Sequence, residues 1–342
     1  MNPAAWISRA ARPEHGLGVS ETRSNTLGLV DLASARLGGR VLDSNDDFFA
    51  AKENLILPSE PVWIEGKYTD RGKWMDGWES RRRRTPGHDW CTVRLAAMGR
   101  IESFLVDTAH FTGNYPEACS VEAYRGAEDP DADSEWVELL PRQDLEGDSR
   151  HSFAVDSEEP WTHVRLNIFP DGGVARLRAF GFVAPDWPRI LDTTDLTDVA
   201  CVLHGGRVTD CSDRFYSAPE NMLLPDDSEG MHDGWETKRR RGPGHDWCVI
   251  HLGRPGLIRR ATVDTAFFRG NFPDRCSLDI ANVADGGSPG DDDWQSVLPE
   301  TALQADTRHE FDLKRPAVAT HARLNIYPDG GVARVRLLAE VE

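Results

Sequence analysis

The sequence of 342 residues lacks the features that identify disulfide-rich, zinc-binding, membrane-spanning and secreted proteins. It has six cysteines and no CxxC pair, which argues against a disulfide framework or a zinc knuckle. No segment approaches the roughly 18 consecutive apolar residues that a membrane span needs. Arg9, Arg12 and Glu14 interrupt the N-terminus before an apolar secretory core could form. We therefore expect a soluble protein of the reducing cytoplasm, with no signal peptide.

Positive charge is also scarce. Lys and Arg total 39 against 57 Asp and Glu, which gives a formal net charge of −18. This acidity repels phosphate backbones and anionic lipid headgroups, so neither nucleic acid nor a membrane is expected as a partner. The chain does carry 11 Trp and 13 Phe within a hydrophobic fraction of 39%, which predicts a packed core rather than disorder.

Three long motifs occur twice, in the same order, at an offset of 157 or 158 residues. They are DGWESRRRRTPGHDWC at 76–91 and DGWETKRRRGPGHDWC at 233–248, VDTAHFTGNYP at 106–116 and VDTAFFRGNFP at 263–273, and RLNIFPDGGVAR at 165–176 and RLNIYPDGGVAR at 323–334. A period of this length is the size of a domain and too long for a solenoid unit. The sequence therefore indicates a tandem duplication.

The duplication divides the chain into four segments. Residues 1–25 form a polar tail that we expect to be poorly ordered. The first repeat is predicted to span 26–183, a proline-punctuated linker 184–194, and the second repeat 195–342. Only the first repeat carries an extra segment, around residues 59–73, ahead of its DGWE motif.

Alternating hydrophobic residues dominate both repeats. Cys91, Val93 and Leu95 share one face of a predicted strand, and short strands of this kind are separated by Gly, Pro and Asp clusters. The pattern predicts an all-β protein of two tandem jelly-roll or β-sandwich domains, with buried, inert cysteines. Few helices are expected; the best candidate is a short one at 46–55, capped by Ser44 or Asn45.

A β-hairpin is predicted at 165–180, with its turn at Asp171-Gly172. In that register Leu166 faces Leu177, Asn167 faces Arg176, and Arg165 faces Arg178. The second repeat would repeat this arrangement with Asn325 and Arg323. Because facing like charges repel, either neighbouring carboxylates or an anionic ligand should compensate the arginines.

The loop that follows a predicted strand end at Asp107 carries His110 and Asn114, and strand-end loops often hold sites. The second repeat has Asp264 and Asn271 at the matching positions but Phe267 in place of His110. The two loops are therefore not chemically equivalent. Alternatively, the Asp and Asn side chains only cap turns.

Two further motifs carry candidate groups. His88 and His245 each precede an Asp and could act as bases, or could belong to structural turns before a Trp. Glu79 and Glu236 each precede a basic run, of which Arg82 is a member. Such a run is either a solvated, ion-paired surface or a dock for a substrate carboxylate.

Taken together and twice over, the motifs DGWESRRRR, PGHDWC, VDTAHFTGNYP and RLNIFPDGGVARLR resemble the allantoicase family. The resemblance spans about 26–342. It implies two jelly rolls of the galactose-binding-like type and a cytoplasmic homo-oligomer. It also implies hydrolysis of allantoate to (S)-ureidoglycolate and urea in purine nitrogen recovery. Phe267 departs from the histidine expected there, which questions an active role for that loop in the second repeat.

The reaction itself defines the groups to look for. Allantoate carries a carboxylate and two ureido groups on one carbon, and urea departs from that carbon. A cationic side chain must hold the carboxylate, and acid–base groups must protonate the urea nitrogen and activate water. Our acid–base candidates are Glu79, Asp107 and His110. The predicted substrate-binding residues are Arg82, His88, Asn114, Arg165, Asn167, Arg176, Glu236, His245, Asp264, Asn271, Arg323 and Asn325.

The residues predict no metal ligands and require no cofactor, although assistance by a divalent ion stays open. One alternative function is that of a non-catalytic carbohydrate-binding protein, since a fold alone does not fix function. Another is hydrolysis of a neighbouring ureide such as ureidoglycolate.

Overall fold

A computed structural model of the chain describes residues 28–284 and 287–341. The described residues form an all-β protein of two similar halves, each built on an eight-stranded sheet. The all-β prediction is thereby confirmed. The predicted N-terminal tail lies outside the described residues. Within the described ranges, no helix is both long and apolar enough to cross a membrane.

The first repeat contains twelve strands in the described residues, numbered in chain order. They are β1 Val30–Asp31, β2 Arg40–Ser44, β3 Tyr68–Thr69, β4 Gly72–Lys73, β5 Trp78–Glu79, β6 Asp89–Asp107, β7 Ala118–Tyr124, β8 Val137–Asp144, β9 Arg150–Ala154, β10 Pro160–Phe169, β11 Gly173–Val174 and β12 Arg176–Val183. Short 3₁₀ helices lie at Ala35–Leu37 and Lys52–Ile56. The helix predicted at 46–55 is thus reduced to one turn, and Ala51 rather than Ser44 or Asn45 precedes it.

The second repeat follows the same plan without counterparts of β3 and β4. Its strands are β13 Thr197–Asp198, β14 Arg207–Cys211, β15 Trp235–Glu236, β16 Asp246–Asp264, β17 Arg275–Ala281, β18 Gln295–Ala302, β19 Arg308–Asp312, β20 Val318–Tyr327, β21 Gly331–Val332 and β22 Arg334–Glu340. Its 3₁₀ helices are Val202–His204, Pro219–Leu223, Met231–Asp233 and Asp291–Asp293. One α-helix, α1, spans Trp187–Leu191 between the repeats.

The 19-residue strand β6 belongs to both layers of the first sandwich. Its first half pairs with β2 and β10, and its second half pairs with β9 and β12. Asp89 pairs with Ile168 and Asp107 pairs with Arg176. The eight Cα–Cα steps from Ile168 to Arg176 reach at most about 29 Å. Because a straight strand of the length of β6 would span about 60 Å, β6 must bend. Both its ends therefore lie at one end of the sandwich, which we call the loop end.

The predicted hairpin at 165–180 is wrong. Strands β10 and β12 both pair with β6 and do not pair with each other. Leu166 pairs with Cys91 and Val121, and Arg176 pairs with Asp107. The Asp171-Gly172 segment instead connects the two layers. An alternating pattern fixes which side chains face the core, but it does not fix which strand lies alongside.

Each repeat has its own hydrophobic core. Cys91, Val93, Phe104 and Val106 are fully buried in the first, as the alternation predicts. Burial raises the pKa of the Cys91 and Cys248 thiols, so both are inert at neutral pH.

The two repeats contact each other. Leu37 of the first repeat packs in the hydrophobic cluster of the second, and the neighbouring Arg36 forms ion pairs with Asp226 and Asp233. Trp187 of helix α1, within the predicted linker, packs against the second cluster. The repeats are therefore joined by apolar and ionic contacts as well as by the chain.

Candidate active site

A cleft of about 530 Å³ opens at the loop end of the first repeat. It lies where the segment after β5, the loop after β6 and the connection from β10 to β12 meet. Polar groups line it: Glu79, Ser80, Arg82, Arg83, Asn114, Tyr115, Glu117 and Asp171. The structure therefore brings together three predicted site residues, Glu79, Arg82 and Asn114, from segments separated in sequence by up to 35 positions.

Glu79 is the buried acid of this cleft. Strand β5 pairs with β11, so that Glu79 lies opposite Gly173 and its side chain is only 9% exposed. Asn114 Nδ2 donates to Glu79 Oε1 at 2.7 Å. Burial raises the pKa of the Glu79 carboxyl above its usual range, and the hydrogen bond from Asn114 opposes this only in part. A carboxyl with a raised pKa can remain protonated and donate a proton.

Two arginines line the same cleft as this carboxyl and differ in their partners. Arg83 is fixed, because its guanidinium donates to Asp89 Oδ1 at 2.6 Å and its backbone N–H donates to Asp171 Oδ2 at 2.7 Å. Arg82 is exposed and makes no hydrogen bond or ion pair within the described residues. Its guanidinium is therefore available to bind a carboxylate as a bidentate partner.

The second repeat reproduces the central pair. Asn271 Nδ2 donates to Glu236 Oε1 at 2.6 Å. Arg240 forms an ion pair with Asp246, as Arg83 does with Asp89. Glu236 is less buried than Glu79. The two repeats thus share a framework, but only the first encloses its glutamate.

The structure gives Asp107 and Arg176 supporting positions outside the cleft. Asp107 is 1% exposed, and its carboxylate accepts from Arg150 Nε at 3.0 Å and from the Ala109 N–H at 2.8 Å. Arg176 is 1% exposed and donates to Asp76 Oδ2 at 3.0 Å. Neither side chain has a free face for substrate.

The second repeat buries the equivalent pair. Asp264 accepts from the Ala266 N–H at 2.8 Å, and Arg334 is held by Asp233 and Asp226. The like charges predicted to face each other do not do so: Arg165 pairs with Thr92 and Glu122 in the sheet, and Arg178 forms an ion pair with Asp31.

His110 also lies away from Glu79. The residue has a positive φ of 70°, and its N–H donates to Asp148 Oδ1 at 2.7 Å. Its ring lies 3.3 Å from the Pro61 carbonyl oxygen through Nε2 and 6.2 Å from the Trp63 ring. It therefore contacts the segment at 59–73 and does not line the cleft.

The remaining candidates form a group on the outer face of β10. Arg165 lies between the rings of Trp90 and Trp136, 5.1 and 4.0 Å from their centroids. Asn167 donates to Glu122 Oε2 at 3.2 Å, and His88 packs against Phe169. The structure holds these side chains by local contacts, and none of the three lines the cleft.

The matching side chains in the second repeat form more hydrogen bonds with one another. Arg323 donates to Asp279 Oδ2 at 3.0 Å, and Asn325 donates to the same oxygen at 2.9 Å. His245 Nε2 lies 3.3 Å from Asn325 Oδ1. These contacts indicate a structural network on this face.

The sequence analysis missed Glu117, Tyr115 and Asp171 as cleft residues. Asp171 was assigned to a hairpin turn, and its role becomes clear only once β10 and β12 are seen to lie in different layers. Tyr115 and Glu117 follow Asn114 directly, so their presence in the same loop was the available signal. Among the described residues, no group of three or more His, Cys, Asp or Glu is arranged to hold a metal ion.

Comparisons with known proteins match the chain over both repeats. The family model described as "Allantoicase repeat" matches residues 30–184 and 197–342. A probable allantoicase of Pseudomonas paraeruginosa is 46% identical over 315 residues, covering 90% of this chain and 95% of the relative. One of Rhizobium meliloti is 47% identical over 326 residues, covering 92% and 94%. The crystal structure of allantoicase from Saccharomyces cerevisiae superposes with a TM-score of 0.79 at 32% identity, covering 94% and 98%.

The fold and the cleft define a tandem jelly-roll protein with a carboxyl–amide pair at the loop end of each repeat. The similar proteins identify the family within this class of fold. The chain belongs to the allantoicase family, and the resemblance drawn from its repeated motifs is confirmed.

Proposed function

We propose that this chain is an allantoicase, hydrolysing allantoate to ureidoglycolate and urea, and that the reaction takes place in the cleft of the first repeat. Family membership over both repeats supports the reaction. The observation that supports the place is Glu79, a buried carboxyl of raised pKa in the same cleft as Arg82, whose guanidinium has no partner among the described residues. Glu236 occupies the matching but more open position.

In this proposal Arg82 binds the allantoate carboxylate. Asn114 holds Glu79 Oε1, so the proton of the acid lies on Oε2 and is directed at the departing ureido nitrogen. The lone pair of the other ureido nitrogen forms a C=N bond to the central carbon as the first C–N bond breaks. The leaving nitrogen takes the Glu79 proton, and neutral urea departs.

The same carboxylate completes the cycle. Water adds to the C=N carbon, and the electron pair of the C=N bond returns to nitrogen. Glu79, now ionised, removes the extra proton from the added water. The products are ureidoglycolate and urea, and Glu79 is protonated again. One buried carboxyl therefore suffices as both acid and base.

Urea release from allantoate by the full chain tests this proposal. We expect Glu79→Gln to lower kcat by about 10²- to 10⁴-fold, the usual contribution of a positioned acid–base group. The matched variant Glu236→Gln should keep most of the activity. Equal losses in the two variants would contradict the assignment to the first repeat, and wild-type protein that releases no urea would contradict the function. The same assay on ureidoglycolate tests the neighbouring ureide, and a glycan array tests carbohydrate binding.

We also infer the domain limits 26–183 and 195–342, with a linker at 184–194 and a cytoplasmic location. The strands of each described sheet fall within one of these limits, which supports them. All six cysteines lie in described residues and are free thiols, as in a reducing compartment. Limited proteolysis within 184–194 would test the boundary.

A further inference from the structure

A second group of polar side chains lies on the outer face of β10, outside the cleft. In the register of the sheet, Arg165 pairs with Thr92 of β6 on one side and with Glu122 of β7 on the other. Asn167 follows two residues later on β10, so its side chain projects from the same face. We call Glu122, Arg165 and Asn167 the outer cluster.

The second repeat contains the matching cluster with its groups bonded to one another. Arg323 and Asn325 both donate to Asp279 Oδ2, at 3.0 and 2.9 Å. The amide oxygen of Asn325 lies 3.3 Å from His245 Nε2. The guanidinium and both ends of the amide therefore have partners within the repeat.

The outer cluster of the first repeat leaves its guanidinium without a carboxylate. Glu122 Oε2 accepts from Asn167 Nδ2 at 3.2 Å, and Arg165 has no ion pair among the described residues. Arg165 donates only through Nε, to Thr92 Oγ1 at 3.3 Å, so its two terminal nitrogens have no hydrogen bond there. Burial lowers the pKa of the Arg165 guanidinium, and the nearby charge of Glu122 opposes this only in part.

The amide oxygen of Asn167 is a second group without a partner. The side chain is 5% exposed, and Oδ1 makes no hydrogen bond in the described part of the chain. Its orientation is fixed, because the carboxylate of Glu122 can only accept and therefore faces the amide nitrogen. Buried polar groups are nearly always hydrogen-bonded, so this oxygen indicates a missing donor.

The second repeat shows where that donor would lie. There His245 Nε2 occupies the place beside Asn325 Oδ1. At the matching position of the first repeat, the His88 ring packs 4.9 Å from the Phe169 ring and makes no hydrogen bond with another described residue. The His88 side chain is partly exposed, so its ring can turn outward and admit the N–H of a ligand to Asn167 Oδ1.

Two indole rings limit the direction in which Arg165 can bind. Its guanidinium lies 5.1 Å from the centroid of Trp90 and 4.0 Å from that of Trp136. A guanidinium with rings over its faces donates in its own plane, which is the geometry that binds both oxygens of a carboxylate. The unpaired N–H groups of Arg165 are therefore suited to a carboxylate.

We propose that the outer cluster of the first repeat binds a small carboxylic acid that carries a ureido or amide group. The carboxylate pairs with Arg165, and an N–H of the ligand donates to Asn167 Oδ1. These residues lie two positions apart on one strand, about 7 Å between their Cα atoms, so one small molecule can reach both.

The two open groups together select this class of ligand. A neutral sugar would leave the guanidinium uncompensated, and a simple dicarboxylate would leave Asn167 Oδ1 without a donor. Allantoate and ureidoglycolate both have the required groups. The choice of a ureide therefore rests on the proposed function, whereas the site is separate from the proposed cleft.

Isothermal titration calorimetry of the full chain with N-carbamoylglycine tests the proposal. This acid has a carboxylate and one ureido group but lacks the second ureido nitrogen that expels urea in the proposed reaction, so turnover does not obscure binding. We expect the cleft and the outer cluster each to bind one molecule in wild type, and only the outer cluster to do so in Arg82→Gln. Glycolate lacks the ureido group and urea lacks the carboxylate, so each should bind the outer cluster about tenfold more weakly or worse.

Two substitutions in the Arg82→Gln background assign the remaining site. Arg165→Gln removes the guanidinium and should raise Kd by about tenfold or more. Glu122→Asp keeps the charge but gives the carboxylate the length of Asp279, so that it can pair with Arg165 as in the second repeat. We expect it to weaken binding similarly without lowering the Tm. The matched control Arg323→Gln, on β20, should leave Kd unchanged.

Binding in the Arg82→Gln background that neither Arg165→Gln nor Glu122→Asp weakens would overturn the proposal. So would the absence of saturable binding in that background at millimolar ligand. Urea release from allantoate separates the two sites, since Arg165→Gln should keep the kcat of wild type. A collapse of kcat in that variant would contradict a separate site. Wild type that releases no urea but still binds the ureido acid through Arg165 would contradict the proposed function alone.

Discussion

At the scale of the residue, the site depends on how two similar glutamates are surrounded. Glu79 and Glu236 make the same hydrogen bond to an asparagine and sit in the same motif. The first is enclosed and the second is more open, so burial rather than chemical identity separates them. A duplicated framework can thereby place the same side chains in two different environments.

The raised pKa of Glu79 predicts a gain in stability on substitution. Because the folded protein binds the Glu79 proton more tightly than the unfolded chain does, stability is lost as pH rises from about 4.5 through the raised pKa. Glu79→Gln keeps the bond from Asn114 and removes this loss. We expect its Tm to exceed that of wild type at pH 8 and to approach it at pH 4, by differential scanning calorimetry. A constant difference at all pH values would contradict the explanation.

Arg82 offers a prediction about binding. If its guanidinium holds the substrate carboxylate, Arg82→Gln should raise the KM for allantoate by about tenfold or more, as expected for loss of a charge-assisted hydrogen bond. Arg82→Lys should recover only part, since a lysine cannot form the bidentate pair. The control Arg84→Gln removes another exposed charge of the same run, outside the cleft. Equal effects at both positions would indicate a general electrostatic influence.

At this scale, the sequence indicated which side chains recur in both repeats. Glu79 and Asn114 were singled out because both repeats carry them, and the structure joins them. Asp107 and Arg176 also recur in both repeats, because a duplication preserves buried ion pairs as well as site residues. Only their partners Arg150 and Asp76, distant in sequence, show that they support the fold.

At the scale of the element, the sequence predicted the strands better than it predicted which strands pair with each other. The alternation in β6 and β10 correctly gave the buried faces. It could not show that β6 bends and serves both layers, because the bend leaves the period of two unchanged on either side. The prediction of a hairpin at 165–180 was wrong for that reason.

The connection between β10 and β12 has a strict steric requirement at Gly173. A Cβ atom there would overlap the ring of Phe111, which is fully buried. We expect Gly173→Ala to destabilise the protein by about 1–3 kcal/mol, as other overpacked cores do. Gly113→Ala, with no atom near the added methyl group, should cost much less.

Urea denaturation of both variants measures the difference. Adding Phe111→Leu to Gly173→Ala should recover part of the loss if the overlap is its cause. Two alanine variants of equal stability would contradict it.

At the scale of the whole molecule, the half-buried His251 of the second repeat should contribute to sensitivity to acid. Burial, with Arg207 and His321 nearby, lowers the pKa of His251 to about 4. The folded protein therefore binds the His251 proton less well than the unfolded chain does, and stability falls as pH drops from about 6.5 to about 4. We expect His251→Asn to reduce the loss of Tm between pH 7 and pH 4.5. His232→Asn, at an exposed histidine, serves as the control, and equal slopes would contradict the prediction.

The architecture of the long strand has a consequence for how each repeat opens. Since each half of β6 supplies the central ladder of a different layer, neither layer can separate without releasing the strand that holds the other. The sandwich should behave as a single cooperative unit, with no half-open form. Amide protons as far apart as those of Val93 and Val106 would then exchange with deuterium at the same, globally limited rate.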